Sequence, residues 1–222
     1  MDKIFVLHHP PLKNRKPYLL NGFKTFNIEV EWVESFGIEE IKDNYEKYIS
    51  RREEFFKGTI VQTYGRHTYE NFSKKISLSE LSLYLKHKYC FEQQLKHGYE
   101  TILILEDDIL FPPNFQEYLN NHIKEFISKK GDMLIMGRSH RFEVKQINGK
   151  HIHIHPHNKT RCTHAIAYNK KCLDKILQNI EIINLPIDFK LNEIIQKENL
   201  SVYWSKPGLL QNKNYRSSII RK

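Results

Sequence analysis

Thr101-Ile102-Leu103-Ile104-Leu105-Glu106-Asp107-Asp108-Ile109-Leu110-Phe111-Pro112-Pro113 is the stretch from which the fold can be read. Thr101 to Leu105 is a short, nearly all-apolar run bounded by polar residues. That is how a strand buried on both faces reads, in a mostly parallel sheet covered by helices. Glu106, Asp107 and Asp108 follow at once, and Pro112 and Pro113 then stop regular pairing. An open α/β sheet binds its ligands in the crevice outside the carboxyl ends of its strands. Three carboxylates at that edge repel one another, so a cation or a polar network must compensate them. A hard divalent metal does so when it bridges to phosphate oxygens, because such ions take one or two carboxylates plus substrate oxygens. The plainer alternative is a solvated acidic turn. A buried strand before the acids and a double proline after them favour the metal.

Just upstream, Ser77-Leu78-Ser79-Glu80 is a capping-box pattern, which predicts a helix running to His97 and ending at Gly98. Leu81, Tyr84, Leu85, Phe91 and Leu95 form its apolar stripe, interrupted by Lys88. Glu80 and His87 project from one side of that helix, two turns apart. A cap is a sufficient role for Glu80, and a histidine on a helix flank is more often structural than catalytic. Downstream, Asn114 to Lys130 reads as an amphipathic helix with Phe115, Leu119, Ile123 and Phe126 inward, and Asp132 to Gly137 as another buried strand. At the start of the chain, Lys3 to His8 is an apolar run cut off by His9, Pro10 and Pro11. A loop with Asn14, Arg15 and Lys16 follows, and Pro17 suits the first turn of a helix over Tyr18 to Thr25. Glu29 to Glu34 alternates as a half-exposed strand does, completing the opening of a βαβ unit. Arg15 is either a surface charge or a phosphate or ribose contact.

Other stretches are less explicit. Ile38 to Glu54 is charged and helix-like, and residues 36–76 as a whole read as a lid or an acceptor-side excursion. Asn148-Gly149 predicts a hairpin within Phe142 to His157. Its second arm puts His151, His153, His155 and His157 on one face, expected to be a solvated, pH-sensitive basic surface rather than a metal site. Thr163 to Tyr168 reads as a strand, with helices over Asn169 to Ile180 and Asp188 to Asn199. Asp188 is the N-cap candidate of the latter. Ser201 to Trp204 is strand-like, and Pro207 to Arg216 reads as loop.

The whole chain of 222 residues is read as one domain with a substantial core. Hydrophobic residues make up 40%, which excludes wholesale disorder. A formal charge of +9, with twelve histidines besides, favours anionic partners without choosing among them. Cys90, Cys162 and Cys172 are too few and too scattered for a disulfide framework or a zinc site, which points to a reducing compartment. No run approaches the length of a membrane span, and Met1 to Phe5 leads into a strand rather than a signal peptide. The expectation is a cytoplasmic location.

Glu80 with His87 on a helix, followed by Ile104-Leu105-Glu106-Asp107-Asp108, resembles the core of glycosyltransferase family 25, the lipooligosaccharide and procollagen galactosyltransferases. The Glu and the His of that family's helix motif are present, while its glycines and serine are replaced, with Lys86 before His87. Of the family's opening loop only Arg15 is kept. Thr163-His164-Ala165-Ile166-Ala167, Pro186-Ile187-Asp188, and Pro207 with Gln211 match later landmarks. The resemblance implies an α/β fold of the GT-A type, Rossmann-like, with a mostly parallel central sheet flanked by helices and a small β-hairpin. It implies an inverting, metal-dependent hexosyltransferase that uses Mn²⁺ (or Mg²⁺) and a nucleotide-sugar donor, a UDP-sugar carrying galactose or glucose. The acceptor would be a glycan or protein hydroxyl, and no nucleic acid is expected. Asp108, with Asp107, would ligate the metal. Glu106, Asp107, Arg15 and His87 would serve the nucleotide side, Glu106 or Asp107 by contact or by orienting Asp108. Asp188 is the first candidate for the base and Glu80 the second. Two other readings stay open: metal-dependent phosphoryl transfer or nuclease chemistry, and a degenerate transferase domain that binds without turnover. The lack of a phosphate-cradling glycine loop counts against a nucleotide kinase.

Overall fold

A computed structural model describes residues 1–49, 76–137, 149–154 and 163–212. Strand β1 (Lys3–Leu7) leads into helix α1 (Arg15–Thr25) and strand β2 (Glu31–Val33). Two short helices, α2 (Ile38–Ile41) and α3 (Tyr45–Tyr48), come next, joined by a 3₁₀ turn at Lys42–Asn44. Then come α4 (Leu78–His97), β3 (Thr101–Glu106), α5 (Phe115–Ser128), β4 (Met133–Gly137) and β5 (Ile152–Ile154). The described chain finishes with β6 (Ala165–Asn169), α6 (Leu173–Ile180), α7 (Ile187–Lys197) and β7 (Val202–Leu209).

The strands form one seven-stranded sheet in the order β2-β1-β3-β6-β4-β7-β5. β1 is parallel to β2 and β3, and β4 is parallel to β7. β6 runs antiparallel between β3 and β4, and β5 antiparallel beside β7. Five strands therefore share one direction, and the mixed α/β sheet is mostly parallel and Rossmann-like. Its alternating side chains feed two cores. Phe5, Leu7, Ile102, Ile104, Ile135 and Tyr168 pack beneath α4, α6 and α7. Ile4, Val6, Leu103, Leu105, Leu134 and Ala167 pack beneath α1 and α5. A buried run such as Thr101 to Leu105 is apolar throughout because both of its faces are covered.

Local chemistry sets the ends of α4. The Ser77 hydroxyl accepts from the Glu80 amide at 3.2 Å, and the Glu80 carboxylate accepts from the Ser77 amide at 2.7 Å. Gly98 ends the helix at φ 69°, a left-handed conformation that costs a residue without Cβ little. Leu95 was expected inward, yet it is 54% exposed, and Gln94 beside it is the buried residue of that turn.

Three further expectations need correction. The loop read from Pro207 onward begins later, since β7 continues to Leu209 and pairs there with Gly137 after a register shift. Asp188 does not cap α7: Pro186 occupies that position, and Asp188 is the second helical residue, its carboxylate accepting from the Phe189 amide at 3.0 Å. At His153 the histidine arm is not solvated, because that residue is 1% exposed, in register with Trp204 of β7, while Ile154 beside it is exposed. His155, His157, Cys162, the first arm of the expected hairpin and residues 50–75 of the expected lid lie outside the described residues.

Candidate active site

The carboxyl ends of β1 and β3 lie side by side, with Leu7 opposite Glu106, so their following loops meet at one edge. β6 enters from the same edge: the Glu106 amide donates to the His164 carbonyl at 2.9 Å. β7 ends there too. The His164 Nε2 lies 3.1 Å from the Leu209 carbonyl, the Leu110 amide donates to Leu210 at 2.8 Å, and the Asn212 amide donates to Asp108 at 2.7 Å. Burial pushes the His164 imidazole down to about 4, so at neutral pH the ring is uncharged and its Nε2–H is the donor to Leu209. Gly137 permits this packing, because a Cβ there would stand 2.5 Å from the His164 ring. Four strand ends thus bring the acidic triplet together with the segment before β6 and the segment after β7.

The three acids have different surroundings. Asp107 is 5% exposed. Its Oδ1 accepts from Arg15 Nη1 at 2.5 Å, and its Oδ2 from His8 Nδ1 at 2.8 Å and the His9 amide at 3.1 Å. Burial alone would raise this carboxyl, but the His8 and Arg15 hydrogen bonds and the Arg15 charge outweigh it and hold it below the ordinary value. An ionised Asp107 only accepts, which makes His8 Nδ1 the donor. Asp108 is half-buried and its side chain meets a neutral group: Gln211 Nε2 approaches the two carboxylate oxygens at 3.4 and 3.2 Å. Burial, aided by repulsion from Asp107, raises its pKa despite the opposing pull of Arg15 and Gln211. Glu106 accepts from the Thr163 hydroxyl at 2.6 Å. Burial raises it most, and the charges of Asp108, Asp107 and Asp188 raise it further. Asp188, at the start of α7, is therefore electrostatically part of the same cluster.

Glu80 and His87 differ in depth. Helix α4 runs back along β3, and Glu80 lies about 25 Å from His97 along its axis, beyond the roughly 20 Å reach of six strand residues. That places Glu80 at the level of the site, its carboxylate engaged by the Ser77 amide and, at 2.9 Å, by the Ser77 hydroxyl. His87 is 0% exposed, its ring nitrogens have no hydrogen-bond partner among the described residues, and burial pushes it down to about 3. It is a neutral, fully buried histidine beside Phe91. Arg15, the other expected nucleotide contact, is 5% exposed and directed at Asp107.

The Glyco_transf_25 model, described as glycosyltransferase family 25 (LPS biosynthesis protein), matches residues 1–191, which include β1, α4, the acidic triplet and the first turn of α7. The chain belongs to glycosyltransferase family 25. It therefore has a glycosyltransferase role, with a sugar donor and a glycan acceptor, in the sphere of lipopolysaccharide glycan synthesis. Among curated proteins the chain has no match. Among the described residues no helix is long and apolar enough to cross a membrane. Next to His87 on α4 stands a buried cation, Lys86. It is 3% exposed, and its ammonium donates to the carbonyls of Val33, at 3.3 Å, and Ser35. Burial lowers it to about 8, against the charges of Glu40, Asp107 and Glu34. Its trace in the sequence is a lysine inside an otherwise buried helix face, four residues after Ser82. His8, which grips Asp107, had no signal beyond its place after a buried strand.

Proposed function

We propose that the chain is a metal-dependent, inverting hexosyltransferase that moves a sugar, galactose or glucose, from a UDP-sugar to a hydroxyl of a glycan or protein acceptor. The observation that carries this reading is the imbalance around Asp108. Its carboxylate oxygens meet an amide rather than a cation, Asp107 repels it, and its own charge and that of Asp188 act on Glu106 beside it. A hard cation with diphosphate oxygens completes such a site, since Mn²⁺- or Mg²⁺-type ions need only one or two protein carboxylates. Asp108 fits as the ligand, with Glu106 beside it. Asp107 fits poorly, because both of its oxygens are already engaged; its role is to hold the turn that aims Asp108. Among the described residues no three His, Cys, Asp or Glu side chains form a ready-made metal cage, so substrate oxygens have to supply the remaining ligands. When bound, the metal neutralises the charge that builds on the departing diphosphate.

The remaining chemistry falls to the protein. The acceptor hydroxyl loses its proton to Asp188 as its oxygen bonds to the anomeric carbon, while the bond from that carbon to the diphosphate breaks and the nucleoside diphosphate leaves. Asp188 suits this role because it sits in the first turn of α7 and its charge reaches Glu106. Glu80 is the second candidate, but its carboxylate already serves the Ser77 cap. The test is nucleotide release across a panel of sugar donors with Mn²⁺, with and without EDTA. Turnover of a UDP-hexose that EDTA stops and Mn²⁺ restores is the expected result. Full activity in EDTA, or no release from any donor, would overturn the reading.

A further inference from the structure

The turn after β2 is held in a way that its own residues do not account for. Phe36 sits at φ 61°, in the left-handed region that a bulky residue with a Cβ avoids. Such a conformation persists only where the surroundings over-determine it. Here they do so from three side chains. The Ser82 hydroxyl donates to the Phe36 carbonyl at 2.6 Å, and the Glu40 carboxylate accepts from the Phe36 amide at 2.7 Å. Lys86 donates to the two carbonyls just before, Val33 and Ser35. Ser82 and Lys86 are one helical turn apart on α4, both are buried, and both grip backbone rather than side chain. The Val33 carbonyl also accepts from the His8 amide at 3.1 Å, so the same turn is tied to the loop that holds Asp107.

The place of this turn gives the grip a purpose. It lies at the carboxyl end of β2, beside the carboxyl end of β1, on the flank of the crevice away from β6 and β7. With the diphosphate at Asp108, the acceptor side lies toward Asp188 and the β6–β7 segments. The donor's nucleoside is then left to the β1–β2 flank. We infer that Ser82 and Lys86 are positioning residues for the nucleoside half of the donor: by fixing the turn from Val33 to Phe36 they set the shelf on which that half rests. The inference rests on the nucleotide-sugar reading above. It assigns the two side chains no contact with the substrate.

The experiment is UDP binding by calorimetry with Mn²⁺, together with donor KM and kcat, for the wild type, Ser82→Ala, Lys86→Gln, Phe36→Gly and Ser82→Ala/Phe36→Gly. Losing one hydroxyl clamp should weaken UDP about tenfold and raise the donor KM to match, with kcat at saturating donor nearly unchanged. Glycine takes a positive φ without support, so the double variant should recover most of the lost affinity. A purely structural role would lower the melting temperature without this split or this rescue. UDP affinity unchanged in Ser82→Ala and Lys86→Gln, or a loss that Phe36→Gly does not relieve, overturns the inference. Should Lys86→Gln fail to fold, Ser82→Ala and its rescue decide alone. A wild type that binds no UDP overturns the donor reading and this inference with it, whereas a binding wild type with indifferent variants overturns this inference only.

Discussion

Asp107 and Asp108 are neighbours in sequence and of one residue type, yet they belong to two different halves of the crevice. The β1 half encloses Asp107 with Arg15, His8 and the His9 amide and depresses its pKa. The β7 half leaves Asp108 half-open, touched by an amide, with its pKa raised. The difference shows that a carboxylate's role is set by which charges the fold brings to it. Asp107 takes direct hydrogen bonds from Arg15 and His8, whereas Asp108 is bonded by a neutral amide and feels the Arg15 charge without touching it. The compensation comes from α1 and β1, far away in sequence, while the uncompensated side is finished by the segment following β7.

The sharpest way to break this contrast is to neutralise each acid in turn. Asp107→Asn removes the carboxylate that the buried Arg15 donates to and should cost about 3–5 kcal/mol of stability, read by chemical denaturation. If its stability equals that of the wild type, the Asp107 half is not the structural one. Asp108→Asn should reduce donor turnover by roughly a hundredfold or more while leaving the melting temperature unchanged or higher. The two acids should also give opposite pH signatures. Asp107 is depressed in the fold, so its stabilisation is present above the ordinary carboxyl value and is lost as pH falls through the folded one. Glu106 and Asp108 are raised, so the folded chain holds more protons than the unfolded one and stability declines as pH climbs from about 4. Asp108→Asn should flatten that decline in a series of melts; an unaltered slope would count against the repulsion.

Asp188→Asn sharpens the comparison across the crevice. It should lower transfer about a hundredfold, the usual cost of losing a positioned base, with UDP affinity kept. Because Asp188 sits inside the first turn of α7, the loss of its favourable charge near the helix N-terminus costs about 0.3–1 kcal/mol. Affinity and transfer falling together would make it a donor-sugar contact instead. The smallest effect concerns the joint between the halves. Gly137→Ala pushes a methyl into the His164 ring and should destabilise by about 1–3 kcal/mol, with donor KM moved only a few-fold. A neutral result would mean that His164 does not pin the end of β7.

The sequence was most legible where structure is set locally. The Ser77 box, Gly98, the apolar run before Glu106 and the inward face of α5 are written in adjacent residues, and the structure has each of them. The acidic triplet's place at the sheet edge was legible for the same reason. Features that depend on remote partners were not. That Asp107 and Asp108 have different surroundings follows from Arg15 and Gln211, 92 and 103 residues away. β6 lies antiparallel in the middle of the sheet, and no neighbouring residue announces it. His153 looked solvated by its alternation, but the pairing of β5 with β7 puts it beside Trp204. Lys86 read only as the residue before His87, because the carbonyls of Val33 and Ser35 that it satisfies lie about fifty residues away.

Mn²⁺ binding in the presence of UDP, followed by electron paramagnetic resonance titration, tests the division between the two acids most directly. The wild type should take up one equivalent of Mn²⁺, and Asp108→Asn, folded and as stable as the wild type, should lose that uptake. Retention of wild-type Mn²⁺ affinity by Asp108→Asn would contradict the account.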